Sequence, residues 1–226
     1  MNTREIPDFV KLKFGRYEKL YSVFKHPIPH LITPTKTVIH GWSGDAEKNG
    51  RRACTAERFL LNPYRGCTHR CQYPCYTRAF SSFNQFYRLF WEENIPSVVI
   101  NFPEILAKEL DDPDLKYAAW GYLSATTDPF QKPLEPHFEL TYKIMKVLME
   151  RNLGFEFITK SIPREKVITL LKGYKYVFAQ FTITSDDEEF RKIFEPNTES
   201  YEKRFKAMKT FNKNGNVDHL KNPRGF

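Results

Sequence analysis

The sequence predicts an α/β fold built on a parallel sheet, and three features carry that expectation. From residue 57 onward, short apolar runs alternate with amphipathic stretches; the runs are apolar almost throughout rather than at every second position; and four such units follow one another as strand then helix. Strands buried on both faces read as continuous apolar runs, and successive parallel strands need helical crossovers. A full eightfold barrel takes about 250 residues. With about four βα units in 226 residues, the expected architecture is an open sheet or a partial (β/α) barrel.

The elements are expected in this order. Residues 1–55 form an N-terminal extension and 56–226 the core. Within the extension, HPIPHLITPTK (26–36) is proline-punctuated and extended, and GWSGDAEKNGRR (41–52) is a polar loop. ERFLLNPY (57–64) is a first strand, stopped by Asn-Pro. TRAFSSFNQFYRLFW (77–91) places Phe80, Phe83, Tyr87 and Trp91 at helical spacing. FPEILAKEL (102–110) is a short helix ended near Asp-Asp-Pro. YAAWGYLSA (117–125) is the second strand. LEPHFELTYKIMKVLMERN (134–152) is a helix with Phe138, Tyr142, Met145 and Met149 on one stripe. GFEFITK (154–160) is the third strand, and PREKVITLLKG (163–173) a helix with proline in its first turn. YKYVFAQFTIT (174–184) is the most apolar strand. DEEFRKIF (187–194) and ESYEKRFKAMKTFNKNG (199–215) are helices, the second closed by glycine.

Composition bounds the function. With 41% hydrophobic residues, 20 Phe and 12 Tyr, the chain can build a core and is not generally disordered. A formal charge of +8 attracts polyanions, so nucleic acid or an anionic cofactor is one reading and an ordinary basic surface the other. No window approaches the roughly 18 apolar residues of a membrane span. The start, MNTREIPDFVKLKFGRYEKL, lacks the apolar run of a signal peptide. The expected compartment is the cytoplasm, where thiols stay reduced. Of four cysteines, Cys67, Cys71 and Cys75 fall within nine residues. A disulfide framework would spread them, so ligation of a metal or cluster is the better reading. Cys54 stands apart and reads as a small buried or idle side chain.

The loop Cys67-Thr-His-Arg-Cys71-Gln-Tyr-Pro-Cys75 follows the first strand, at the sheet end where parallel α/β folds gather active-site groups. Three thiolates on one loop can wrap a soft metal centre. A [4Fe–4S] cluster held by three cysteines leaves one iron open for a further ligand. Zinc would want a fourth ligand, from His69 or Cys54, and the chain has no second Cys pair of the usual kind. Spacing leaves both open.

The stretch LNPYRGCTHRC (61–71), with Tyr73, Cys75 and Tyr76 after it, resembles the loop of the spore-photoproduct-lyase-like radical S-adenosylmethionine (SAM) proteins. Their usual pattern is Asn-Pro-Tyr-x-Gly-Cys-x-x-x-Cys-x-Tyr-Cys-Tyr. ATTDPFQ (125–131), TKS (159–161), FTIT (181–184), FEPN (194–197) and the helix with Arg204 ending at Asn214-Gly215 match in order, so the resemblance covers 57–215. There are two departures. Pro74 widens the second spacing to Cys-x₃-Cys, adding up to roughly 3.5 Å of chain, and it restricts itself and Tyr73. Family members also continue with further strands where NVDHLKNPRGF (216–226) supplies none, so the chain reads as C-terminally incomplete, with a sheet edge and part of the cofactor wall uncovered.

The resemblance implies a radical reaction. The reduced cluster passes an electron to SAM, whose amino and carboxylate groups chelate the open iron; cleavage yields methionine and a 5′-deoxyadenosyl radical that takes hydrogen from a substrate. Flavodoxin or ferredoxin is the implied electron donor, and a nucleic acid is a candidate substrate. Cys67, Cys71 and Cys75 are the implied cluster ligands. Tyr73 and Tyr76 shield the cluster or touch the cofactor, unless they only pack the loop. Thr126, Thr127 and Asp128 are placed to meet the SAM ammonium, or else form an Asp-Pro turn. Lys160 suits a carboxylate, as the matching lysine does in the lyase, or snorkels at the surface. Thr182 and Thr184 share one face and suit the ribose, or else bond backbone. Glu195 and Arg204 are expected as a structural ion pair, and His69 as a bystander. The lyase returns hydrogen from a further cysteine beside the second strand's end. No cysteine stands between Gly121 and Gln131, where Ala125 takes that place, so thymine-dimer repair itself is not implied. The rival reading is a non-catalytic chain, either a remnant or a nucleic-acid-binding module with zinc in the cysteine loop.

Overall fold

The computed structural model describes residues 5–39, 58–72, 75–112 and 120–213. A hairpin opens the chain: β1 (Phe9–Phe14) and β2 (Tyr17–Phe24) pair antiparallel. The tight turn between them uses Gly15 at φ +60, a conformation glycine adopts without a Cβ penalty. Then come β3 (His30–Ile32), β4 (Arg58–Leu61), β5 (Tyr64–Arg65), a 3-10 helix (Tyr76–Ser82), α1 (Gln85–Glu93), β6 (Ser97–Val98) and α2 (Phe102–Leu110). The remainder runs β7 (Trp120–Leu123), α3 (Leu134–Phe138), α4 (Leu140–Glu150), β8 (Gly154–Thr159), α5 (Glu165–Leu171), β9 (Val177–Phe181), α6 (Glu188–Phe194) and α7 (Tyr201–Lys213).

The four expected core strands form one sheet in the order β4-β7-β8-β9, and every neighbouring pair is parallel. The register aligns Leu61, Leu123, Phe157 and Ala179 in one row and Phe59, Gly121, Phe155 and Val177 in another. These rows are buried together with Leu106, Ile144, Met145, Leu148, Val167, Leu171 and Phe211 from the helices, which is why the strands read as apolar throughout. The fold is therefore mixed α/β around a parallel sheet, and among the described residues the sheet does not close into a barrel.

A second sheet, ordered β1-β2-β3-β6-β5, draws three strands from the segment expected only as an extension. β3 runs parallel to β6, with Leu31 opposite Ser97, and so ties the N-terminal segment to the core. The signal was present: FVKLKF and YEKLYSVF flank a Gly-Arg turn in a hairpin pattern. The prolines that follow masked it.

Two expected helices are broken, each by a side chain that caps a new start. Asn84 accepts hydrogen bonds from the amides of Phe86 and Tyr87, so 77–91 divides into the 3-10 helix and α1. The buried face is then Tyr87, Leu89 and Phe90, while Phe83 is 73% exposed. In 134–152, Glu139 takes a left-handed conformation, and the Glu135 carboxylate accepts from the first-turn amides of Thr141 and Tyr142. The core stripe of α4 becomes Leu140, Ile144, Met145 and Leu148 rather than the one through Tyr142 and Met149. β9 stops at Phe181, leaving Thr182–Thr184 as coil beyond the strand. Cys54, the polar loop 41–52, Tyr73, Pro74 and 214–226 lie outside the described residues. No helix of the described residues is long and apolar enough to cross a membrane.

Candidate functional site

The site is built on the carboxyl ends of β4, β7, β8 and β9. After β4, Asn62 turns back and its Oδ1 accepts from both the amide and the hydroxyl of Thr126, joining the loops after β4 and β7. Gly66 precedes the first ligand candidate with φ +95, and a Cβ there would lie 2.5 Å from the Phe90 ring. Only glycine fits a left-handed turn pressed so closely on an aromatic. Cys67 follows, and the fully buried Gln131 holds the peptides on both sides of it, accepting from Thr68 N at 2.9 Å and donating to Gly66 O at 3.3 Å. Arg70, at φ 46, closes the turn through its amide to Cys67 O. Further on, Gln72 N donates to Phe194 O at 2.7 Å, tying the loop to the end of α6.

Cys67, Cys71 and Cys75 line one cavity of about 360 Å³ together with Tyr76, Thr126, Thr127, Asp128, Lys160, Thr182 and Thr184. Every described residue that the sequence singled out as a ligand or cofactor contact thus meets at one place; Tyr73 is outside the described residues. The individual roles differ from expectation in several cases. The Asp128 carboxylate is buried and already engaged. It accepts from Phe130 N (2.9 Å), Thr159 Oγ1 (2.9 Å) and Lys160 N (2.7 Å), and His69 Nε2 lies 3.1 Å away. Burial pushes this carboxyl up, but the His69 ring and the amide donors outweigh it and hold the group below its ordinary value. Asp128 therefore organises the turn rather than offering a vacant carboxylate. Thr126 is likewise engaged, with Asn62 and with the Tyr87 hydroxyl. Thr127 is different: its hydroxyl, like those of Ser124 and Thr68, is buried without a hydrogen-bond partner among the described residues. Buried hydroxyls are seldom left so.

Lys160 Nζ lies 3.2 Å from Glu195, whose other oxygen is 2.9 Å from the fully buried Arg204. The expected Glu195–Arg204 pair is thus formed, and it extends to Lys160. Burial pushes Lys160 down, but Cys71 and Glu195 outweigh it and hold its ammonium above the ordinary lysine value. Thr184 donates to Glu195 at 2.8 Å and its hydroxyl is 2.9 Å from Tyr201 Oη, so its hydroxyl is spent inside the protein. Thr182 bonds through its backbone, to Thr159 and to Arg204. Tyr76 is 62% exposed at the mouth and donates to Ala125 O.

Burial raises both inner thiols. Cys67 goes well above the ordinary thiol value, opposed by the backbone N–H groups of His69 and Asp128. Cys71 goes to about 11, opposed by Lys160. A cation binding here displaces those protons, because thiolates are the ligands. Among the described residues no three metal-ligating side chains converge on one point; the three thiols share a cavity wall on a loop whose connecting residues 73–74 are not described. The donor set fits a soft cluster with a small zwitterionic ligand: thiols, amide N–H groups aimed at sulfur, one ammonium, and hydroxyls without partners.

Sequence reasoning did not foresee Gln131, Asn62 or Ser124, and it set His69 aside. The signal for two of them lay in the matched stretches themselves, since Asn62 opens the Asn-Pro motif and Gln131 closes ATTDPFQ.

Comparison with known proteins agrees with this donor set. The family model for the radical SAM superfamily matches residues 61–221, the span that holds the cysteine loop and strands β7, β8 and β9 of the parallel sheet. The "Radical SAM Nalpha-GlyT isomerase" of Pseudomonas phage M6 is 30% identical over 172 residues, covering 74% of this chain and 34% of the phage protein. The uncharacterized protein MJ0683 of Methanocaldococcus jannaschii is 27% identical over 164 residues, covering 70% of this chain and 56% of the relative. The chain thus spans about a third and just over half the length of these two relatives. No solved structure matches it significantly. The match is to the superfamily as a whole, and neither relative carries a lyase name. The superfamily implies a [4Fe–4S] cluster and SAM, and this chain belongs to it: it is a member of the radical SAM superfamily.

Proposed function

We propose that the chain is a radical SAM enzyme on a partial (β/α) barrel of the spore-photoproduct-lyase-like branch, with Cys67, Cys71 and Cys75 as cluster ligands. When bound, the cluster and SAM supply reductive cleavage of the sulfonium to a 5′-deoxyadenosyl radical. The chain's own residues do the rest. Lys160 offers an ammonium to the SAM carboxylate. The hydroxyls of Thr127 and Ser124 gain their missing partners from the ligand's polar atoms. Tyr76 covers the mouth and limits access of water. The observation that carries this reading is the meeting of all three thiols and Lys160 on one cavity. The electron comes from a small redox protein such as flavodoxin or ferredoxin, in the reducing cytoplasm, and the charge of +8 favours a nucleic-acid substrate.

The reaction class that suits the site is a rearrangement. Ala125 stands where the lyases carry a hydrogen-donating cysteine, so the chain offers no thiol at that place to supply hydrogen to a product, and a net rearrangement would not require one. The phage relative is named as an isomerase. The test is anaerobic reconstitution with iron and sulfide, reduction, and assay of 5′-deoxyadenosine released from SAM. Release that depends on the three cysteines supports the reading. Stoichiometric zinc with no release contradicts it and favours the non-catalytic alternative.

A further inference from the structure

His69 lies midway between Cys67 and Cys71, yet its ring turns inward and is only 5% exposed. Nδ1 is 3.0 Å from Asn197 O. A carbonyl can only accept, so Nδ1 carries a proton and donates. Nε2 is 3.1 Å from Ser161 Oγ and 3.1 Å from Asp128 Oδ2. One ring therefore touches three separate segments: the turn after β7, the turn after β8, and the chain following α6. The second of these is itself braced. Ser161 N donates to Thr159 Oγ1 at 2.9 Å, and Thr159 Oγ1 donates to Asp128. Lys160 stands between those two residues, so the network fixes where its side chain leaves the backbone. A second strap runs parallel, from Asn197 Nδ2 to Thr68 O at 3.1 Å.

A histidine kept for packing alone would not place both ring nitrogens against polar atoms of three segments inside a buried site. We propose that His69 is a positioning residue that registers the cysteine loop against the carboxyl ends of β7 and β8, so that the cluster and Lys160 face the same bound SAM. This rests on the radical SAM reading above. It assigns His69 no contact with the reacting atoms. Its effect passes through Asp128, Ser161 and Asn197, as outer partners of metal ligands commonly act.

The experiment compares wild type with His69→Ala and His69→Gln. On the cluster-free chains, hydrogen exchange is followed for the amides of residues 68–72 and of α4. On anaerobically reconstituted chains, iron and sulfide are counted, and the electron paramagnetic resonance signal of the reduced cluster is titrated with SAM. The expected result for His69→Ala is faster exchange confined to the loop, near-normal iron and sulfide, and a SAM concentration for the spectral change raised about ten- to a hundred-fold. His69→Gln keeps one donor and recovers part of the response. The proposal is overturned if His69→Ala titrates with SAM as wild type does, or if exchange accelerates equally in α4, which would mark a general loss of fold. A wild-type chain that takes up no iron sinks the radical SAM reading and this proposal with it, whereas a wild type that loads and responds beside an unchanged variant sinks this proposal alone.

Discussion

Gln131 grips the backbone on both sides of Cys67, its carbonyl oxygen on the amide of Thr68 and its amide nitrogen on the carbonyl of Gly66. A side chain arriving from beyond β7 thus completes the hydrogen bonding that a loop bent around one thiol cannot supply for itself. The first cysteine is held in place before any cluster binds.

Replacing Gln131 with methionine keeps much of the volume and removes both bonds. Each buried backbone group left without a partner costs about 1–3 kcal/mol. Gln131→Met is expected to lower the urea midpoint accordingly and to reduce iron bound per chain after reconstitution. Equal midpoints and equal iron would show that the grip is incidental.

Gly66→Ala meets two obstacles, the left-handed backbone at φ +95 and the Phe90 ring 2.5 Å from the new methyl. A loss of about 1–3 kcal/mol is expected, as for an overpacked site. In a Phe90→Ala background, which lacks the two nearest ring carbons but keeps Cβ at 2.9 Å, Gly66→Ala should cost less than in wild type yet still cost something, because the left-handed backbone remains. Equal losses in the two backgrounds in a thermal melt would contradict the clash.

Arg204 is fully buried against Glu195, Thr182 O and Glu199 O. Removing one partner of a buried pair leaves the other charge stranded, at a cost of about 3–5 kcal/mol. Arg204→Met is expected to destabilise the chain by that order in denaturant unfolding. Lys160, 3.2 Å away, then remains the nearby cation for Glu195. Adding Glu195→Gln should recover much of the loss; no recovery would mean that the pair is not the source.

The Glu135 carboxyl is pushed up to about 7 by burial, against hydrogen bonds from Tyr64, Thr141 and Tyr142. Its folded value lies above the ordinary 4.5. Its protonated form therefore favours the fold: that stability is fully present below about 4.5 and is lost as pH rises through about 7. At about 1.4 kcal/mol per pH unit, the gap amounts to about 3 kcal/mol. Glu135→Gln cannot ionise, so its stability relative to wild type is expected to rise between pH 5 and pH 8, although it starts lower because one backbone amide loses its acceptor. Parallel stability curves over that range would contradict the assignment.

The parallel sheet was legible because burial on both faces writes itself into unbroken apolar runs such as FEFIT and VFAQF. The cysteine loop was legible because three thiols so close together have few other uses, and the order of matched stretches around it pointed to one family. What stayed hidden depends on partners distant in sequence. Asp128 reads equally as a cofactor contact or a turn residue until His69, Thr159 and Lys160 N are seen around it. The break in 134–152 depends on Glu135 reaching forward to Thr141 and Tyr142, which no periodicity reports. β3 is three residues long and exists because β2 and β6 flank it.

The most direct test of the account is the iron and acid-labile sulfide content of chain reconstituted without oxygen, wild type against a variant with Cys67, Cys71 and Cys75 all changed to serine. About four of each are expected per wild-type chain and almost none in the variant. Undiminished iron and sulfide in the triple-serine chain would contradict it.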